Sequence, residues 1–518
     1  MTKYARRWSV AAIATTMLGA TALSGPAFAQ TTTTTFGGGG FRNPSPSPSP
    51  SPPPQFQQQS IDPGPRGGAP GAGGAIPGLS ADEQNFFTAA KAVFNEVDGV
   101  PEGLGPRFNL DGCGGCHAFP AAGGSSPPTN PQVAVATAMG AKNTVPSFIT
   151  ANGPIREARF VTNPDGTPDG GVHDLFVITG RSDAPGCNIT QPNFAAAVAA
   201  NNVIFRIPTP TFGLGYIEAI PDAGLQAAFN GAAQQRRSLG ISGSFNRNGN
   251  DGTITRFGWK AQNKSLWIFA AEAYNVEQGV TNLGFPNERE DNPNCQFNNL
   301  PESTTNFTDQ SKGVSLASGI SDDVTNFAAF MRMLDPPAPA GSGTPAAPAA
   351  STSSTSGTQV AAATASSAIA AASGTTSSST SSTSASSTAT VSRGQQVFSN
   401  IGCNACHITN QTTGGKAVIT GVSNQTVQPY SDFALHDMGT GLQDRVSQGL
   451  ANGRQFRTAP LWGVGQRLFF LHDGRTADIG VAIRQHASQG SEANGVINNF
   501  NQLGLTDKQA LAAFLRSL

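Results

Sequence analysis

The chain has 518 residues, with 31 Lys plus Arg against 32 Asp plus Glu, a formal net charge of −1 and only 12% charged residues. A polypeptide of this length has room for more than one domain. A balance so close to neutral argues against nucleic acid, an acidic membrane surface or a strongly steered partner.

The first segment carries Lys3, Arg6 and Arg7, then an apolar run from Val10 to Leu23, then Ala27-Phe28-Ala29. This is the pattern of a secretory signal cleaved before Gln30, and the run is short for a membrane span. Residues 1–29 are therefore expected to be removed, leaving an exported, periplasmic protein without a stable membrane anchor. Residues 30–79 are rich in Thr, Gly, Pro and Ser, with Pro-Ser alternation from Pro44 to Pro54. They offer too little apolar surface to fold and are expected to form a disordered tether. Order is expected from Ser80, where Ser80-x-x-Glu83 is a capping box ahead of Phe86, Phe87, Ala90, Val93 and Phe94 at helical spacing.

That helix leads to Cys113-Gly114-Gly115-Cys116-His117, and the spacing recurs at Cys403-Asn404-Ala405-Cys406-His407. Cys-x-x-Cys-His is the attachment signature of haem c: two thiols add across the vinyl groups of one porphyrin, and the adjacent histidine binds the iron. A zinc site would need a second Cys or His pair nearby, and none is evident in the sequence. Two covalently bound haem c groups are thus expected, held by Cys113, Cys116 and His117 and by Cys403, Cys406 and His407. Electron transfer becomes the central function. Cys187 and Cys295 remain; in an oxidising compartment they are expected to form a disulfide, with two buried thiols as the alternative.

Residues 336–390 are almost entirely Ala, Ser, Thr, Gly and Pro and read as a low-complexity linker between folded regions. The stretch before it ends Phe327-Ala328-Ala329-Phe330-Met331-Arg332-Met333-Leu334, which aligns without a gap with Leu511-Ala512-Ala513-Phe514-Leu515-Arg516-Ser517-Leu518. Helix-start signals precede both, at Ser321-Asp322-Asp323 and Thr506-Asp507-Lys508-Gln509, and a further helix is expected to begin at Ser392-x-x-Gln395. The expected fold is mainly α, with two cytochrome c-like domains at 80–335 and 391–518. The first is enlarged by insertions.

Beyond the second motif come Arg457-Thr458-Ala459-Pro460-Leu461-Trp462-Gly463-Val464 and Phe470-Leu471-His472-Asp473-Gly474-Arg475. With Phe205-Arg206-Ile207-Pro208-Thr209-Pro210, Arg256-Phe257-Gly258-Trp259-Lys260-Ala261 and Leu435-His436-Asp437-Met438-Gly439, they resemble the bacterial diheme cytochrome c peroxidase superfamily. The nearest branch is that of the diheme oxidoreductases often labelled thiol-oxidoreductase-like. The resemblance implies a distal ligand to the second haem fourteen residues beyond His472, which is His486; Met438 is the alternative. His472 and His436 would act around the haems, for example on a propionate. Trp259, six residues before Ser265-Leu266, matches the tryptophan between the haems. Glu277 best matches the distal acid/base, with Glu218 and Glu272 as alternatives, while Phe269 stands where the family places a glutamine.

The same resemblance implies a peroxidase-like reaction with hydrogen peroxide at the first haem. Electrons would come from a small cytochrome or copper protein and pass through the second haem. A diheme electron carrier without catalysis and an oxidase of a protein partner are the alternatives. No histidine occurs from Ala118 to Lys142, where such peroxidases carry a switchable ligand, so the first iron is expected to be open; His173 could still supply a sixth ligand. The superfamily often binds calcium between its domains through a threonine five residues before His-Asp-Gly. Arg467 stands there, so that site is expected to be lost or rebuilt.

Overall fold

The computed structural model describes residues 60–290, 292–305, 321–340 and 382–518. The signal segment, the first half of the tether and the middle of the linker lie outside the described residues.

In the first domain the helix Ala81–Phe94 begins with the expected capping box: Ser80 Oγ accepts from Glu83 N at 3.3 Å and Glu83 Oε2 from Ser80 N at 2.8 Å. Its apolar face, Phe87, Ala90 and Phe94, is buried against the helix Asp323–Met333, with the Phe94 and Phe330 rings 4.5 Å apart. Asp322 caps that second helix, accepting from Thr325 N at 2.6 Å. A third helix, Leu266–Gln278, completes the cluster by setting Tyr274 edge-on to Phe327 at 5.0 Å.

The second domain repeats this crossing with helices Ser382–Asn400 and Leu505–Ser517. They approach so closely that a Cβ at Gly394 would lie 2.0 Å from the Ala510 carbonyl oxygen. The first of them begins ten residues earlier than the Ser392 signal suggested. Residues Ser382 to Val391 contain neither Gly nor Pro, so nothing stops a helix anchored at Val397 and Phe398 from running back into the linker.

Both domains close on their last helix by one device. Gly213 and Gly463 take left-handed φ of +66° and +73° and donate their N–H groups to the carbonyls of Leu334 and Leu518, each at 3.0 Å. Two residues on, a Cβ at Gly215 would fall 1.9 Å from the Arg332 carbonyl oxygen, and one at Gly465 2.2 Å from that of Arg516. Leu334 with Leu518, and Arg332 with Arg516, are corresponding residues of the terminal repeat. The stretches Phe205-Arg206 to Gly215 and Phe456-Arg457 to Gly465 are therefore a second repeated pair, starting on the strands Val203–Arg206 and Gln455–Arg457.

Helices form the two cores, but the mainly-α expectation holds only in part. Among the described residues nine short strands make four small sheets, the largest with Val172–His173, Glu157–Phe160 and Val203–Arg206 side by side and antiparallel. Four of the nine strands belong to the insertion between the first motif and the last helix of the first domain, and Phe176, Cys187 and Cys295 from it share a separate small core with Phe108. Cys187 and Cys295 are joined by a disulfide.

The expected tether is also shorter at its far end. Residues 60–79 lie across both domains: Ile61 is buried in the second core and Ile76 beside the first. Asp62 accepts from both arms of Arg516 at 2.7 and 2.8 Å, and Ile76 N donates to Met333 O at 2.8 Å. The segment has few apolar residues, but Ile61 and Ile76 each meet a ready-made apolar site.

Candidate functional site

Each Cys-x-x-Cys-His motif makes one tight turn in which the histidine N–H donates to the first cysteine carbonyl, at 3.1 Å for His117 and 3.0 Å for His407. The first turn is closely surrounded: a Cβ at Gly115 would sit 2.4 Å from the end of the Leu110 side chain, which would have to move. Three histidines share one arrangement. Nδ1 of His117 lies 3.0 Å from Gly124 O, that of His407 2.9 Å from Tyr430 O, and that of His486 2.8 Å from Ala482 O. The carbonyl fixes the proton on Nδ1 and leaves the Nε2 lone pair for a metal. Burial depresses all three pKa values, that of His407 to about 4, which keeps the rings neutral. His486 is near enough to His407 to add to its depression.

Cys113, Cys116, Cys403 and Cys406 are unbridged, in contrast to Cys187 and Cys295. Burial pushes their thiols up, Cys403 to about 12, so they are neutral rather than poised as redox nucleophiles. Cys113, Cys116 and His117 line a cavity together with Phe94, Leu110, Phe269 and Phe327; the space free of protein atoms there, counted with the solvent it opens to, is about 1160 Å³. A large apolar space beside two thiols and an unprotonated Nε2 fits a haem.

The same cavity is lined by Glu277, Glu157, Arg159 and Arg206. Asn109 Nδ2 donates to Glu277 Oε2 at 2.8 Å and Arg159 Nε to Glu157 Oε1 at 2.7 Å. Burial and the neighbouring Glu157, which also hydrogen-bonds it, hold Glu277 well above the usual carboxylate range. Burial works on Glu157 too, but Arg159, the hydrogen bond with Glu277 and Arg206 outweigh it and hold Glu157 low. The pair therefore carries one proton, resident on Glu277. Sequence reasoning missed Glu157. Its signal was Arg156-Glu157-Ala158-Arg159 on one short strand, where alternation puts Glu157 and Arg159 on the same face.

The alternatives to Glu277 are otherwise engaged. Glu218 is paired with Arg332 and accepts from Leu266 N at 2.8 Å. Glu272 lines the cavity and accepts from Asn263. His173 is stacked on Phe160 at 3.7 Å and bonded to Asp169 at 2.9 Å, on an edge strand outside the cavity lining, which corrects its candidacy as a sixth ligand. Among the residues lining the cavity His117 is the one histidine.

Trp259 lines both this cavity and a second one between the domains. Its Nε1 donates to Ile207 O at 3.0 Å, and its carbonyl accepts from Arg457 N at 2.9 Å. Arg206 and Arg457, corresponding residues of the second repeat, thus flank it from opposite domains. His472 stands edge-on to the indole at 6.4 Å and is stacked on Phe456 at 4.4 Å.

His436 lies between Asp432, 3.1 Å from Nε2, and Glu492, 2.8 Å from Nδ1. Cys406, Asp432 and His436 have potential ligand atoms within 4.8 Å of one another, a grouping with zinc-ligand chemistry that the sequence did not reveal. Burial opposes a charge on His436, yet Cys406 and Asp432 raise its pKa well above the usual value. An imidazolium donating from both nitrogens has no lone pair for a metal. Met438 comes near the His486 loop through its backbone, bridged to Ser491.

Two domains with repeated closing segments, each bearing a cysteine pair and a carbonyl-oriented histidine, define a protein built to hold two redox groups. The profile of one family, described as "Di-haem oxidoreductase, putative peroxidase", matches residues 155–343 and 342–518. The chain belongs to this di-haem oxidoreductase family, and is a two-haem oxidoreductase. Neither match includes the first Cys-x-x-Cys-His motif, which lies upstream at residues 113–117. No curated protein and no solved structure matches the chain.

Proposed function

We propose that the protein reduces hydrogen peroxide in the periplasm, at a haem attached through Cys113 and Cys116 and ligated by His117. The second haem, attached through Cys403 and Cys406 and ligated by His407 and His486, stores and relays electrons. What carries this reading is that one unprotonated histidine and a one-proton carboxyl pair line a single cavity. When bound, the haems supply the two electrons that cleave the O–O bond. The protein supplies the proton handling.

Cleavage consumes two electrons and two protons and yields two waters, and requires a proton to move from the near oxygen of peroxide to the far one. Glu157, an ionised carboxylate, can accept a proton while Glu277, a carboxylic acid, can donate one. Together they perform a relay that a single carboxylate performs only in sequence. Arg159 and Arg206 keep the pair from holding two protons. Trp259, with its indole N–H fixed on Ile207 O, bridges the motif cavity and the domain junction and is suited to carry an electron between the two groups. A small soluble cytochrome or copper protein would return the electrons.

Electron paramagnetic resonance of the ferric holoprotein tests this. One high-spin and one low-spin signal, both altered by peroxide, are expected; two low-spin signals indifferent to peroxide would make the protein an electron carrier. His486→Ala should convert the low-spin signal to high-spin, and an unchanged spectrum would remove His486 as a ligand.

A further inference from the structure

The cavity between the domains has a feature its hydrogen bonds do not explain. Arg457 and Arg467 both line it, with Trp259, Thr209 and Trp462. Arg457 is engaged, donating from Nε to Gly258 O at 3.0 Å. Arg467 is not: its Nε and Nη2 are buried and make no hydrogen bond among the described residues. Its guanidinium carbon lies 5.7 Å from the centre of the Trp259 ring. Burial alone pulls both arginines down to about 10, with no carboxylate acting on either, and both remain charged at neutral pH. A guanidinium removed from water with two donors unmet is costly unless an anion joins it.

Taking the haem reading of the preceding subsection as given, we infer that Arg467 is a built-in counter-cation for a haem propionate at the domain junction. Each haem carries two carboxylates, and Trp259 lines both the first motif's cavity and the domain-junction cavity that Arg467 also lines. A fixed guanidinium there does by side chain what a divalent cation between the domains would do by binding. It presents N–H donors in a fork suited to a carboxylate. A positive charge held beside a haem favours the reduced iron, so Arg467 raises the midpoint potential of the haem whose propionate it meets.

The test is a spectroelectrochemical titration of the two-haem holoprotein, with haem content measured first. Fewer than two haems per wild-type chain would overturn the haem reading itself, whereas the results below concern Arg467 alone. In Arg467→Met, an apolar replacement of similar length, one haem should show at least a tenfold fall in its reduced-to-oxidised ratio at fixed applied potential, about 59 mV for a one-electron couple. Arg467→Lys, which keeps the charge, should retain most of the wild-type value. The haem that moves identifies which propionate is held. Equal shifts in the Met and Lys variants, or none in either, would overturn the assignment. So would a wild-type potential that follows added phosphate, because Arg467's partner would then be a dissociable anion, or one that follows a calcium chelator, because a bound cation would then be doing the work assigned to Arg467.

Discussion

Glu277 and Glu157 occupy one hydrogen-bonded unit, and their roles follow from unequal surroundings. Arg159 and Arg206 favour the charge on Glu157, while Glu277 has only Asn109 and its proton. Glu277→Gln should lower peroxide turnover by about 10² to 10⁴-fold with both haem spectra unchanged. Glu157→Gln should act on the pH profile. Glu277 is raised, so the relay works while its proton is present and fails as pH rises through its folded pKa. Removing the charge at position 157 lowers that pKa, and the alkaline limb of turnover should shift to lower pH. An unmoved limb in steady-state assays across pH would separate Glu157 from the reaction.

At the scale of elements, the glycines that close each domain are the most exacting positions. Gly215 and Gly465 have no room for a methyl group beside the carbonyls of Arg332 and Arg516. Either change to Ala should cost about 3 kcal/mol, read as a fall in the denaturant midpoint at unchanged slope. The terminal helices were legible in the sequence because Phe-Ala-Ala-Phe and Leu-Ala-Ala-Phe share spacing and apolar character. The second repeat was not, because only glycines and a Phe-Arg pair persist and their meaning is a backbone contact to a distant helix. The cysteine motifs stand out in the sequence by their repeated spacing, and the fold makes each of them one tight turn. Glu157 does not stand out, because a carboxylate on a short strand becomes a partner of Glu277 only through tertiary packing. The start of the second-domain helix was misplaced for a local reason: a Ser/Thr/Ala run looks like linker until a packed helix extends into it. His436 shows the opposite case, a sequence motif whose electrostatic setting of two carboxylates only the fold supplies.

Across the whole molecule, the two domains are joined by buried charge. Arg206 of the first domain meets Asp444 of the second at 2.7 Å, and Lys260, next to Trp259, meets the same carboxylate at 3.0 Å. Lys260 also donates to the carbonyls of Asn452 and Gln455, both at 2.9 Å, and lies 4.0 Å over the Phe456 ring. Burial lowers Lys260 to about 8. Asp444→Asn would leave two buried cations facing a neutral amide, at a cost of about 3–5 kcal/mol. Replacing Arg206, Lys260 and Asp444 together by apolar residues should cost much less, and thermal unfolding of the two variants distinguishes an interface held by charge from one held by shape.

The strap formed by residues 60–79 bears on the order in which the protein can be assembled. Asp62 and Arg516 are separated by 454 positions, so this clasp can form only once the chain has been made through residue 516. A contact so distant along the chain is a late event in folding. Until it forms, the second core lacks Ile61 and the last helix lacks the partner of its arginine. Both cysteine pairs therefore remain on an unfastened scaffold until then, and under the proposed haem attachment that is the interval in which a flat macrocycle would enter between walls that later shut around it.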